Sequence, residues 1–115
     1  MVHEGSCHCG KIAYEVDFES AEATECNCSL CSRRGYLLWF VPGDKFTLKT
    51  PEGNMAHYTF NKHRIKHYFC PVCACAPFGM GADSKGNMMV AVNVRCLEDV
   101  DPKALKIKFF DGKKL

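Results

Sequence analysis

The run Glu25-Cys26-Asn27-Cys28-Ser29-Leu30-Cys31-Ser32-Arg33-Arg34-Gly35 decides how the rest of this chain is read. It sets Cys26, Cys28 and Cys31 in a C-x-C-x₂-C pattern. A pair of cysteines stands on each side of it: Cys7 with Cys9 (C-x-C) and Cys70 with Cys73 (C-x₂-C). Thiolate is a strong zinc ligand, and short spacing lets two sulfurs on one turn meet one ion at about 2.3 Å. Two distant pairs can therefore close a four-sulfur site. A lone triplet leaves one corner of the tetrahedron open, and an open corner is where chemistry can occur.

The chain has 115 residues and nine cysteines. An odd number would leave a disulfide framework with a free thiol. Met1 to Gly10 is polar and does not resemble a signal peptide, and no apolar run is long enough to cross a bilayer. These features predict a cytoplasmic protein, where clustered cysteines serve metal binding or catalysis. The length predicts a single domain, residues 1–115. A net charge of +2 gives no argument for a nucleic-acid or membrane partner. Lys103, Lys106, Lys108, Lys113 and Lys114 read as a solvated edge.

Away from the cysteines, Ile12, Tyr14, Val16 and Phe18 alternate with polar or small residues, the period of a half-buried strand. Residues 19–25 lack a sustained apolar face and read as a connector, with the triplet itself in a loop. Tyr36 to Val41 reads as a continuous buried strand. Further strands are expected around Phe46 and Leu48, over 55–60, 64–69 and 88–94, and from Ile107 to Phe110. Pro77, Gly79 and Gly81 favour irregular or bulged structure, and Asp101-Pro102 can start a short helical turn. Many short strands between Gly, Pro, Asn and Asp turns predict an all-β, sheet-on-sheet domain. The cysteines fall at strand ends and turns.

Cys7, Cys9, Cys70 and Cys73 together would give a Cys₄ site tying the first strand to the middle of the chain. Such sites contribute about 10–16 kcal/mol of apparent binding energy to zinc-finger folding. Spacing alone also allows Cys7 and Cys9 to pair with Cys26 and Cys28. The triplet could be closed by Cys75, Cys96 or His8 as a second structural zinc, or left open to water or a substrate thiol.

The segments GSCHCGKIAYEV (5–16), ECNCSLCSRRG (25–35), HYFCPVC (67–73) and VNVRCLEDVD (92–101) resemble the glutathione-dependent formaldehyde-activating enzyme family, also called the centromere-protein-V type. The likeness runs from Ser6 to the closing FFDGKKL. It implies a zinc-bound β-tent fold, related to Rab exchange-factor-chaperone-like folds, with two zinc ions. By that resemblance Cys7, Cys9, Cys70 and Cys73 hold the structural ion, and Cys26, Cys28 and Cys31 are the catalytic ligands. The implied activity is of the carbon–sulfur lyase type: glutathione and formaldehyde combine to S-hydroxymethylglutathione, so the implied partner is a small thiol or thiol adduct. Rival readings are a non-enzymatic zinc scaffold that binds another protein, and a reductase built on Cys96. The latter position is similar to one in B-type methionine sulfoxide reductases.

Arg33, nearest to Cys31, is the candidate to hold a substrate carboxylate through charge-assisted hydrogen bonds; surface solubility is the plainer role for it and for Arg34. His8 is expected to face solvent, and His67 to be an ordinary strand residue. Trp39 and Phe40 follow the triplet and could wall an open site there, with core packing the simpler role; Met88 and Met89 suit gap-filling in a core. Ala74 stands where knuckles of this type usually have glycine, and a left-handed backbone there would cost it about 1 kcal/mol.

Overall fold

Ile12, Tyr14 and Val16 are completely buried while their neighbours are not, and the two layers of the molecule are built around them. The computed structural model describes residues 2–112. Its elements are strands β1 (Val2–Ser6), β2 (Ala13–Asp17) and β3 (Glu22–Cys26), helix α1 (Ser29–Arg34), then strands β4 (Leu38–Pro42), β5 (Phe46–Leu48), β6 (Ala56–Tyr58), β7 (Lys66–Phe69), β8 (Phe78–Ala82), β9 (Met88–Asn93) and β10 (Lys106–Phe110). Short 3-10 turns connect several of them, including Val94–Cys96 and Pro102–Ala104.

The strands form a three-stranded sheet in the order β1-β2-β5 and a seven-stranded sheet in the order β10-β3-β4-β9-β8-β7-β6. Every pairing is antiparallel except that of β10 with β3. Tyr14 of the small sheet packs edge-on to Phe78 of the large one, with centroids 5.1 Å apart, and stacks on Phe46 at 5.2 Å. Val41, Val90 and Val92 complete this apolar layer. Full burial of side chains of this size is worth about 1.5–3 kcal/mol each.

The nearly all-β architecture agrees with the sequence pattern; several local expectations do not. The 19–25 connector takes in four of the five residues of β3, which buries only Ala23. Backbone pairing to β4 and β10, and a hydrogen bond from Trp39 Nε1 to the Glu22 carbonyl at 2.9 Å, hold it in place of an apolar face. The triplet is not wholly in a loop, because Cys31 lies inside α1. Pro77, Gly79 and Gly81 do not bulge β8. A Cβ on Gly81 would meet Ile65 Cγ1 at 3.1 Å, and one on Gly79 the Lys66 carbonyl at 3.3 Å, so these glycines let the neighbouring chain lie close. Phe40 and Met88 are about half exposed, at 49% and 53%, and neither is a core residue. Lys113 and Lys114 lie outside the described residues.

Candidate metal centre

Two knuckles meet at the first cysteine cluster. Cys7 and Cys9 follow β1, while Cys70 and Cys73 follow β7, and the four Sγ atoms lie within 4.8 Å of one another. Cys9 Sγ is 3.7 Å from Cys7 Sγ and 3.6 Å from Cys70 Sγ. Four sulfurs at about 2.3 Å around a tetrahedral ion would stand about 3.8 Å apart, so these residues fit a metal ion. Backbone amides aim at the sulfurs: Ile12 N–H donates to Cys7 Sγ at 3.3 Å, and Val72 N–H to Cys70 Sγ at 3.4 Å. The turn from Cys70 is closed by Ala74 N–H to the Cys70 carbonyl at 2.9 Å, with Ala74 left-handed at φ +67°.

These amides govern the thiol acidities. The amide at Cys75, then that at Cys9, hold the Cys73 thiol down to about 5. The amides at Cys73 and Val72 lower Cys70 against the effect of burial. Cys9 is also favoured by an amide, at Lys11, yet burial and its bonds to Cys70 and Cys7 push it up to about 11. Protons are thus divided unequally among crowded sulfurs. A cation is what lets all four ionise together.

The second cluster is built by a strand end and a helix start. Cys26 closes β3, Cys28 is the N-cap of α1 and Cys31 lies one turn in. Cys28 Sγ accepts from Cys31 N–H at 3.3 Å, and Cys26 Sγ from Cys28 N–H at 3.4 Å. Gly35, left-handed at φ +68°, ends the helix by donating to the Cys31 carbonyl at 2.9 Å. The three sulfurs also lie within 4.8 Å of one another, and among the described residues no further His, Cys, Asp or Glu joins them. Burial, its bond to Cys28 and the nearby sulfurs raise Cys31 far above the ordinary thiol range. Cys28 is also penalised by burial, but hydrogen bonds from Cys31 and Cys26 leave it lowered.

Beside this cluster lies a cavity of about 450 Å³ whose wall includes Cys26 and Cys31 but not Cys28. Tyr36 and Leu37 line it from the strand side, Ile107 and Phe109 from β10. Two cations, Arg95 and Lys103, reach it from the two 3-10 turns, against a single acidic residue, Glu25. Neither cation is in an ion pair among the described residues. Arg33 is placed elsewhere: its Nη1 donates to the Ser29 carbonyl at 2.8 Å on the exposed helix surface, and it does not line the cavity. Arg34 donates to the Tyr36 hydroxyl at 2.8 Å.

The remaining candidates join neither group of converging ligand atoms. His8 is exposed, and His67 is half-buried against Phe60 with its pKa lowered, by burial first and then by Arg34. Trp39 packs on Phe18 and His3 in the core and, like Phe40, is absent from the cavity wall. Burial, with Cys75 and Cys7 nearby, pushes the Cys96 thiol up to about 11. Arg95 and Lys103 carry no motif spacing toward the triplet. Only the tertiary fold brings them to it.

Fold and clusters together define a small two-sheet β domain with two cysteine clusters that could each hold a metal ion. The chain belongs to the glutathione-dependent formaldehyde-activating enzyme family, whose profile matches residues 2–111. It is also similar to a Rhodobacter sphaeroides protein whose crystal structure was determined as a structural genomics target. The two share 28% sequence identity at a TM-score of 0.77, over 91% of this chain and 99% of that one. Among the described residues no helix is long and apolar enough to cross a membrane.

Proposed function

We propose that this protein is a cytoplasmic, zinc-dependent enzyme of the carbon–sulfur lyase type that joins a small anionic thiol to formaldehyde, with glutathione as the thiol. Cys7, Cys9, Cys70 and Cys73 would hold a structural zinc ion, and Cys26, Cys28 and Cys31 a catalytic one. The observation that carries this reading is the second cluster: three converging sulfurs without a fourth side-chain partner among the described residues, two of them on a cavity wall. A zinc ion bound there would supply a positive charge that favours the thiolate form of an entering thiol.

The chain's own residues supply binding and orientation. Arg95 and Lys103 pair with substrate carboxylates by charge-assisted hydrogen bonds, with the thiol end turned toward Cys26 and Cys31. Ile107 and Phe109 give the cavity an apolar rim on the β10 side. In the reaction the thiol S–H bond breaks and the sulfur lone pair forms a bond to the aldehyde carbon. The carbonyl π pair moves to oxygen, which takes up the proton; nothing is oxidised or reduced. Binding and orienting two reactants in one cavity raises their effective concentration.

The raised Cys96 thiol favours this reading over a reductase, because a nucleophilic cysteine is one held as thiolate. One observation favours a protein-binding scaffold as the second reading: the edge strand β10 exposes Ile107, Phe109 and Phe110. Exchange spectroscopy with ¹³C-formaldehyde and glutathione separates the two. The zinc-loaded protein is expected to accelerate adduct formation and breakdown, and Cys28→Ser to lose the acceleration. Wild-type exchange no faster than buffer would leave the scaffold reading.

A further inference from the structure

Gly112 is buried, although it lies just beyond the edge strand β10. A Cβ at this position would stand 2.5 Å from Cys26 Sγ and 3.2 Å from Cys28 Cβ. Its φ lies outside the left-handed region, so this contact alone calls for glycine. The atom in the way accepts a hydrogen bond from the Cys28 amide at 3.4 Å, so moving it aside breaks that contact.

The segment is pinned at several points. Phe110 lies opposite Cys26 in the parallel pairing of β10 with β3. Asn27 N–H donates to the Phe110 carbonyl at 3.2 Å, and Asn27 Nδ2 to Asp111 Oδ1 at 2.9 Å. Asn27 is the middle residue of Cys26-Asn27-Cys28, so the contact is made from within the C-x-C knuckle itself. Gly112 and Cys28 are both absent from the cavity wall that includes Cys26 and Cys31. The chain therefore covers the cluster where it touches Cys26 and Cys28, while the cavity is lined by Cys26, Asn27 and Cys31.

We propose that the Asp111–Gly112 segment, latched by Asn27, is a positioning wall for the three-cysteine centre. It fixes Cys26 Sγ and closes one approach, so that an ion held by the triplet would be reached from the cavity. This rests on the reading of the triplet as a metal site. Neighbours of this kind, which touch ligands without ligating, typically change metal affinity by about 10–100-fold when altered.

Zinc-loaded wild type, Gly112→Ala and Asn27→Ala are compared for zinc transfer to a chromophoric chelator and for melting temperature. Wild type is expected to release zinc in two phases, the triplet's being the faster. Gly112→Ala should speed that phase by about tenfold or more and Asn27→Ala by several-fold, with the slow phase and the melting temperature unchanged. In cobalt-substituted protein, Gly112→Ala should also shift the thiolate-to-cobalt band of the triplet, a change that a general loss of stability would not produce. If Gly112→Ala fails to fold, Asn27→Ala decides, since it removes the side-chain bond to Asp111 without adding a clash. A fast phase unchanged in the folded variants would overturn the positioning role while leaving the triplet a metal site. A wild type without the fast phase would remove both.

Discussion

His3 is only 3% exposed yet sits between two carboxylates, with Nδ1 2.7 Å from Asp99 Oδ1 and Nε2 2.7 Å from Glu19 Oε2. Burial opposes its charge, but the bonds to Asp99 and Glu19 prevail and raise its pKa above 6.5. The His3 bond in turn lowers that of Asp99. A raised histidine contributes stability that is complete below its unfolded value, about 6.5, and lost as pH rises through the folded one. A lowered aspartate contributes stability above about 3.9, lost as pH falls through its folded value. Wild type should therefore exceed His3→Gln in stability by about 1 kcal/mol near pH 6, since both carboxylates are half-exposed. Denaturant midpoints at pH 6 and pH 9 should show that margin shrinking at the higher pH, and a constant margin would contradict the clamp. The cavity cations give a second test at this scale. Arg95→Ala and Lys103→Ala should each raise KM for glutathione about tenfold with kcat nearly kept, and Arg33→Ala should leave both unchanged. Arg33 is near Cys31 in sequence, but its side chain lies on the exposed helix surface. Nothing in a linear spacing marks residues 95 and 103 as sharing a cavity wall with Cys31.

At the scale of elements, legibility followed how much each element depends on its own side chains. Strand β2 was readable because Ile12, Tyr14 and Val16 bury one face. Strand β3 was not, because it buries one residue and is held by backbone pairing on both sides. Helix α1 is too short for a periodic signal, and its cap is a cysteine in place of the usual Ser, Thr, Asp or Asn. The cysteine knuckles were legible because ligand spacing is a local property. So was the strain at Ala74, whose φ of +67° matches the left-handed turn expected there. Ala74→Gly should therefore raise stability by about 1 kcal/mol, read as a higher melting temperature with unchanged metal content. An equal or lower melting temperature would show that the knuckle carries no such strain.

Across the whole molecule, the first cluster joins the end of β1 in the small sheet to the end of β7 in the large one. The second lies where β3 passes into α1, on a single stretch of chain. Losing a ligand should thus have unequal consequences. Cys70→Ser should unfold the domain or lower its melting temperature far more than Cys28→Ser, which should leave a folded protein with one zinc ion in place of two. Similar melting of the two variants would remove the distinction between structural and catalytic centres. The central claim, that the triplet's ion keeps a position for a substrate sulfur, is tested most directly by zinc-edge X-ray absorption of the two-zinc protein with and without saturating glutathione. The account predicts a higher average sulfur count per zinc on adding thiol, absent in Cys28→Ser. An unchanged first shell at saturation, with both ions present, would contradict it.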